Sequence, residues 1–253
     1  MTAPYTPAFY AEYQADSARS ARRAARVLMD LVRPESVVDV GCGIGTWLRA
    51  FHEAGVRDIV GVDGEYVDLA QLLIPADRFV AHDLRRPLAL PEQLPQTYDL
   101  ALSLEVGEHL PADAAGQLVA SLVALAPVVA FSAAIPGQGG TDHINEQWPT
   151  FWAGLFARHG YRTVDALRDP LWGDPEVAYY YAQNALLYVR EDALAALPHL
   201  APHVTEPDDP RLCRVHPAKW EEANDPRRQP LKNVLRALPH AIGAAARRRL
   251  RRD

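Results

Sequence analysis

Cysteine, lysine and long apolar runs are all scarce in this sequence, and each shortage removes a class of protein. Only Cys42 and Cys213 occur in 253 residues, too few for a disulfide framework or a cysteine-rich zinc module. That usage fits a cytoplasmic setting. No apolar run approaches the roughly 20 residues needed to cross a bilayer. The start, MTAPYTPAFYAEYQ, has neither the basic nor the apolar region of a signal peptide. Net charge is −6, unevenly spread: from Arg227 onward nine Arg/Lys face one Asp, giving +8 there and −14 on the 226 residues before. An acidic body lacks the clustered cations that neutralise phosphates, which argues against a nucleic-acid partner. Internal repeats and low-complexity segments are missing too, and the sequence carries no signal for oligomeric state.

What is present is an alternation of short β-like runs with helical stretches, the pattern of a mostly parallel sheet covered by helices on both faces. Seven strands are expected, at about 36–40, 58–62, 79–81, 98–104, 128–133, 161–166 and 183–189. Helices are expected at about 17–31, 46–54, 67–73, 111–125 and 148–159, with Thr46 as a cap. The reading divides the chain into an N-terminal helical cap or lid (1–33), a Rossmann-like α/β domain (34–190) and a C-terminal extension (191–253). The extension is rich in proline and acid up to about residue 230, which suggests loose structure with one or two short helices.

The most specific segment is VVDVGCGIGTWL, where Asp39 precedes glycines at 41, 43 and 45. Glycine is needed where the backbone turns sharply and approaches a ligand with no Cβ in the way. A dinucleotide fingerprint, G-x-G-x-x-G, would require glycine at position 46, which is Thr. About 20 residues on, IVGVDG places Asp63 at a strand end, where a carboxylate can accept from both hydroxyls of a ribose. FVAHDL then ends the third strand with Asp83, able to accept from an adenine amine, and Leu84, able to pack beside the ring. In this order the D-x-G-x-G-x-G loop, Asp63 and Asp83 resemble the class I S-adenosylmethionine-dependent methyltransferases over about residues 36–189. The segments SLEVGEHLP and FSAAIPGQGGTDHINEQWPTFW are similar to a group of small bacterial members that modify small molecules or glycans.

The resemblance implies S-adenosylmethionine as cofactor and S-adenosylhomocysteine as product. Asp39 and the backbone of Gly41, Gly43 and Gly45 would hold the methionyl end, Asp63 the ribose and Asp83 with Leu84 the adenine. Ser103, Leu104 and Glu105, after the fourth strand, would line the sulfonium side. Methyl transfer from a sulfonium is an in-line displacement in which alignment supplies much of the rate. A hydroxyl acceptor also benefits from a base. Two histidines fall at strand ends facing the cofactor. His143, flanked by Asp142, Asn145 and Glu146, reads either as that base or as a residue closing the loop. His109 reads as a participant in proton transfer or as part of a structural turn.

Candidate acceptor contacts are Tyr10, Tyr13, Asn145, Glu146, Trp148, Tyr179 and Tyr181, aromatics and polar groups of the kind that line small-molecule pockets. Asp142, His143, Asn145 and Glu146 are metal-ligand types, but no closed set with diagnostic spacing is visible, so no metal is expected. The function expected is methyl transfer to a small molecule or glycan, at oxygen in preference to nitrogen. A non-catalytic cofactor-binding protein is a second reading. A nicotinamide-dependent dehydrogenase is disfavoured by Thr46 and by the absence of Lys before position 219. The basic C-terminal tail can be a solvated tail or a peripheral contact with an anionic membrane surface.

Overall fold

The computed structural model describes residues 7–225 together with Leu231, Leu235, Arg236, Leu238, Pro239 and Ile242; side chains are described from residue 16 onward. The remainder of the basic tail, and so the membrane-contact expectation, lies outside the described residues. The chain forms two compact units, Met1–Arg214 and Val215–Asp253. The second contains helix Pro217–Asn224, numbered α8 below; the first holds everything that follows.

Helix α1, Pro7–Leu31, begins ten residues earlier than the apolar pattern suggests, so Tyr10 and Tyr13 lie on its first turns. Their side chains lie outside the described residues. Ala21, Ala24, Ala25 and Leu28 fall at i, i+3, i+4 and i+7 and are buried, which gives α1 one apolar stripe for the sheet. Strands β1 (Ser36–Val40), β2 (Asp58–Asp63), β3 (Phe79–Ala81), β4 (Leu100–Leu104) and β5 (Val128–Ser132) are parallel. Their near-continuous apolar runs suit strands buried on both faces. Helices α2 (Thr46–Glu53), α3 (Ala115–Leu125) and α4 (Pro149–Ala157) connect or cover them.

The remaining elements are β6 (Tyr161–Val164), α5 (Arg168–Leu171), α6 (Tyr179–Asn184), β7 (Leu186–Arg190), α7 (Glu191–Leu194) and β8 (Val204–Thr205). The sheet runs β3-β2-β1-β4-β5-β7-β6-β8, with β7 antiparallel to its neighbours. It therefore has eight strands, not seven. The eighth is a two-residue strand pairing with β6 through Thr163–Thr205 and Val164–Val204, too short to leave a periodic signal. Strand order reverses between β1 and β4, where α/β sheets open a crevice at their carboxyl ends.

Three local expectations are corrected. Thr46 opens α2 without capping it: Gly45, in left-handed conformation, holds the N-cap position and no side chain bonds there. Residues 67–73 form only a 3-10 turn at Leu69–Gln71, entered by Asp68, which accepts from the Ala70 N–H. Gln183 and Asn184 end a helix before β7 begins. Residues 191–214 are also less loose than their composition suggests, since Leu200 and Leu212 are buried in the cores on opposite faces of the sheet.

Candidate active site

The glycine loop leaves β1 at its carboxyl end and folds over β2, with the N–H groups of Gly41 and Cys42 both donating to the Val62 carbonyl. Gly41, Gly43 and Gly45 all have positive φ, a region L side chains enter at a cost. A Cβ on Gly41 would come within 2.3 Å of the Val106 side chain, so the loop sits directly against the turn that leaves β4. Around Gly43 there is open space, leaving its backbone accessible to a ligand.

Asp63 ends β2 as a buried carboxylate that organises this loop. One oxygen accepts from the Gly43 N–H at 2.6 Å, and the other accepts from the Gly64 N–H at 2.6 Å and from the Tyr66 hydroxyl. A hydroxyl on this carboxylate is the chemistry a ribose would offer. Tyr66 itself is 83% exposed and so can leave. Sequence reasoning missed it, because nothing in GEYVD marks a tyrosine that folds back onto its own strand end. Burial, then the charge of Asp63, pushes the Asp39 carboxyl up to about 8, and its Oδ2 has no hydrogen-bond partner. Burial and the same two acids hold the Cys42 thiol protonated, so Cys42 is packing and not a nucleophile.

Asp83 follows β3, one residue beyond His82, whose N–H donates to the Asp63 carbonyl. It pairs with Arg85 at 2.8 Å and also accepts from the Arg85 N–H, and those hydrogen bonds hold its carboxyl down at about 2. Leu84 packs partly buried against the α3 side of the sheet. Ser103 is buried within β4 with its hydroxyl unpaired, and Leu104 is partly buried on the α1 side.

At the end of β4 Glu105 adopts φ +57, unusual for a residue with a Cβ and a form of strain that concentrates at functional sites. Its carboxylate is fully engaged, accepting from Asn184 Nδ2 at 3.0 Å on one oxygen and from Gln138 Nε2 at 2.9 Å on the other. Gln183 and Asn184 also donate to Gln138 Oε1. This amide network ties β4, the loop after β5 and α6 together. Gln138 was not legible in the sequence, being one polar residue in a polar loop.

The next turn carries Glu108 and His109. The loop after β5 is fastened to it, since the N–H groups of Ile144 and Asn145 both donate to the Glu108 carbonyl and Asn145 Nδ2 donates to the Gly107 carbonyl. This brings His143 beside His109, ring centroids 4.9 Å apart and nearly perpendicular. Glu146 closes the loop by accepting from the Gly137 and Gly139 N–H groups at 2.7 Å each, and it meets His143 Nδ1 at 3.1 Å. Burial and then His143 lower the pKa of His109, opposed by hydrogen bonding to the Asp142 backbone. Glu108 is wholly buried; burial, then the neighbouring Glu105 charge, pushes its carboxyl up to about 9.

Of the acceptor-side residues, Asn145 is buried and structural in its contacts, while Trp148 is 37% exposed beside exposed Ile144 and Phe151. Tyr179 is half-buried against Tyr180. Tyr181 lies in the core, edge-on to Trp47 at 4.9 Å, and therefore forms no open pocket wall.

A methyltransferase-domain family profile matches residues 10–168, more than half of the chain. Magnesium protoporphyrin IX methyltransferase ChlM from Synechocystis aligns over 76% of this chain and 87% of its own with bound SAM, at 18% identity and TM-score 0.50. The same enzyme with bound SAH gives TM-score 0.51 over 76% of this chain and 90% of its own, at 18% identity. DesVI from Streptomyces venezuelae aligns over 72% and 95%, at 16% identity and TM-score 0.50. No curated protein matches. These structures share the fold, and the family match extends from α1 through β6 to the start of α5, taking in the glycine loop, Asp63, Asp83, the Glu105–His109 turn and His143: the chain belongs to this methyltransferase family and, with it, to the S-adenosylmethionine-dependent class I enzymes.

Proposed function

We propose that the protein transfers the methyl group of S-adenosylmethionine to an oxygen of a small-molecule or glycan acceptor. The observation that carries the reading is Asp63, a buried carboxylate at the carboxyl end of β2, one strand from the strand-order reversal, with one oxygen holding the glycine loop and the other already meeting a hydroxyl. A ribose diol would take the place of the Tyr66 hydroxyl. The methionyl ammonium would meet Asp39, whose second oxygen has no partner, and the adenine would lie toward Asp83 and Leu84. The sulfonium would then point at Glu105 and the turn beyond it.

In-line attack needs the acceptor oxygen held on the far side of the methyl group. His109 and His143 stand on the turn and loop that border that side. With Nδ1 engaged by Glu146, His143 has Nε2 left to act on the acceptor hydroxyl. Exposed Ile144, Trp148 and Phe151 supply apolar surface next to it, as acceptor pockets require. Two free cysteines, one of them buried, fit a cytoplasmic location. Among the described residues no helix is long and apolar enough to cross a membrane.

Calorimetric titration with S-adenosylhomocysteine, with NAD as control, tests the reading. Wild type should bind the former alone, and Asp63→Ala should weaken it by about tenfold or more, since hydrogen bonds to a charged group contribute ~1.5–3 kcal/mol. Equal affinity in the variant rejects the ribose assignment. Binding of NAD instead rejects the methyltransferase reading of the loop.

A further inference from the structure

Glu105 and Glu108 lie three residues apart on the same turn and are treated differently by their surroundings. Each oxygen of Glu105 accepts from an amide side chain. Glu108 is 0% exposed, and neither of its carboxylate oxygens has a hydrogen-bond partner. The backbone N–H groups of Glu108 and Ala134 and the Glu105 carboxylate are its polar neighbours, but none meets it in bonding geometry. A polar group buried without a hydrogen-bond partner is costly and calls for a partner that the surrounding side chains do not supply.

The groups beside it are two imidazoles. Ligand atoms of Glu108, His109 and His143 all lie within 4.8 Å of one another. Three donor atoms about 2.1 Å from a common ion lie roughly 3.0–3.6 Å apart in regular geometries, so movements of about 1–2 Å, the reach of a side-chain rotation, close the set. Both imidazoles already have polar protein groups beside one edge. His143 Nδ1 is against Glu146 and His109 has the Asp142 backbone as a polar neighbour, the kind of outer contact that orients metal-binding histidines. His109 is exposed, so an ion has a path in and retains open positions. Two backbone hydrogen bonds from Ile144 and Asn145 to Glu108 fix the loop that delivers His143.

We propose that Glu108, His109 and His143 bind one divalent first-row transition-metal cation, on which the oxygen of the methyl acceptor is held. A mixed nitrogen and carboxylate set with open positions suits Mn²⁺, Fe²⁺, Co²⁺ or Zn²⁺ better than the all-oxygen preferences of Ca²⁺ and Mg²⁺. No metal is expected from the sequence, and of the metal-ligand types noted there only His143 belongs to this set; Asp142, Asn145 and Glu146 do not. Asn145 and Glu146 are occupied in holding the loop.

This inference rests on the methyltransferase reading and changes the part His143 plays in it, from proton acceptor to ligand. The ion lowers the pKa of the hydroxyl bound to it. The hydroxyl proton leaves to solvent water, and the oxygen lone pair forms the new O–CH₃ bond. The S–CH₃ bond breaks with its electron pair staying on sulfur, leaving the neutral thioether S-adenosylhomocysteine and a methyl ether.

The test uses the full chain without an affinity tag, stripped with a chelator, then titrated with MnCl₂ and with ZnCl₂ by calorimetry, and with Mn²⁺ by electron paramagnetic resonance. One ion should bind per chain, with affinity reduced at least tenfold in Glu108→Gln and in His109→Ala. The second variant alters an exposed residue and so protects the test against misfolding. Titration of the same samples with S-adenosylhomocysteine separates the two readings. If that ligand binds but no saturable one-to-one cation binding is seen, or both variants bind the cation as wild type does, the metal site is overturned and His143 returns to the role of base. If the cation binds and the nucleoside does not, the metal site stands and the methyltransferase reading falls.

Discussion

At the scale of single residues, the site is marked by carboxylates whose surroundings do not suit a charge. Asp39 is the clearest: buried beside Asp63, its carboxyl is raised to about 8, so it holds its proton at neutral pH before cofactor arrives. A cationic methionyl ammonium placed against it favours the ionised form, so binding must expel that proton. The association constant for S-adenosylhomocysteine should therefore rise with pH, by up to about tenfold per unit between pH 6 and about 8, and then level off. Calorimetry in buffers of different ionisation enthalpy should register up to about one proton released at pH 7. In Asp39→Asn both the slope and the release should vanish. A flat profile in wild type removes Asp39 from the methionyl site. The sequence displays Asp39, Asp63 and Asp83 openly, because glycines and strand ends fix where they sit. Tyr66 and Gln138 are hidden, since their part depends on side chains that fold back or reach across from other elements.

At the scale of elements, the 3-10 turn carrying Glu108 and His109 depends on helix α4 beneath it. Gly107 is buried against Trp152, and a Cβ there would lie 2.6 Å from the indole ring. Gly107→Ala should cost about 1–3 kcal/mol, the usual penalty for overpacking, and should lower turnover further by displacing the turn. Trp152→Phe in the same chain should return part of both losses, a coupling that a double-mutant cycle in urea can measure. Additive effects would mean that the turn rests on something other than the indole. Helices α2 and α4 were legible within two residues because glycine, proline and apolar spacing punctuate them. Helix α6 was not. Its last two residues, Gln183 and Asn184, read as the start of the final strand, but packing of Tyr181 against Trp47 and the amide network to Glu105 hold them in the helix, a tertiary override of weak local preference.

At the scale of the whole molecule, a mostly parallel sheet followed from buried apolar runs, whereas the strand order and the way residues 191–214 return to the sheet did not. That return is made by β8 and by a buried ion pair that no periodicity announces. Arg168 is 0% exposed; its guanidinium donates twice to Asp165, at 2.8 and 2.6 Å, and a third time to the Leu212 carbonyl at 2.6 Å. Desolvating such a pair offsets much of its attraction, but removing one partner leaves the other charge buried, typically costing ~3–5 kcal/mol. Arg214 stands 3.4 Å from Asp165 and can compensate in part, which places the expected loss at the lower end. Arg168→Met keeps the volume, removes the charge and leaves the Leu212 carbonyl without its donor. It should lower stability by about 3 kcal/mol, or Tm by roughly 6–12 °C for a chain of this size. The pair follows the carboxyl end of β6, which β5 and β7 separate from β4 and the site, so S-adenosylhomocysteine affinity well below the new Tm should be unchanged. Scanning calorimetry with a matched titration reads both quantities: an unmoved Tm would show that the apolar burial of Leu200 and Leu212 holds the segment without the ion pair, and a loss of ligand affinity would show that residues 191–214 reach the cofactor site.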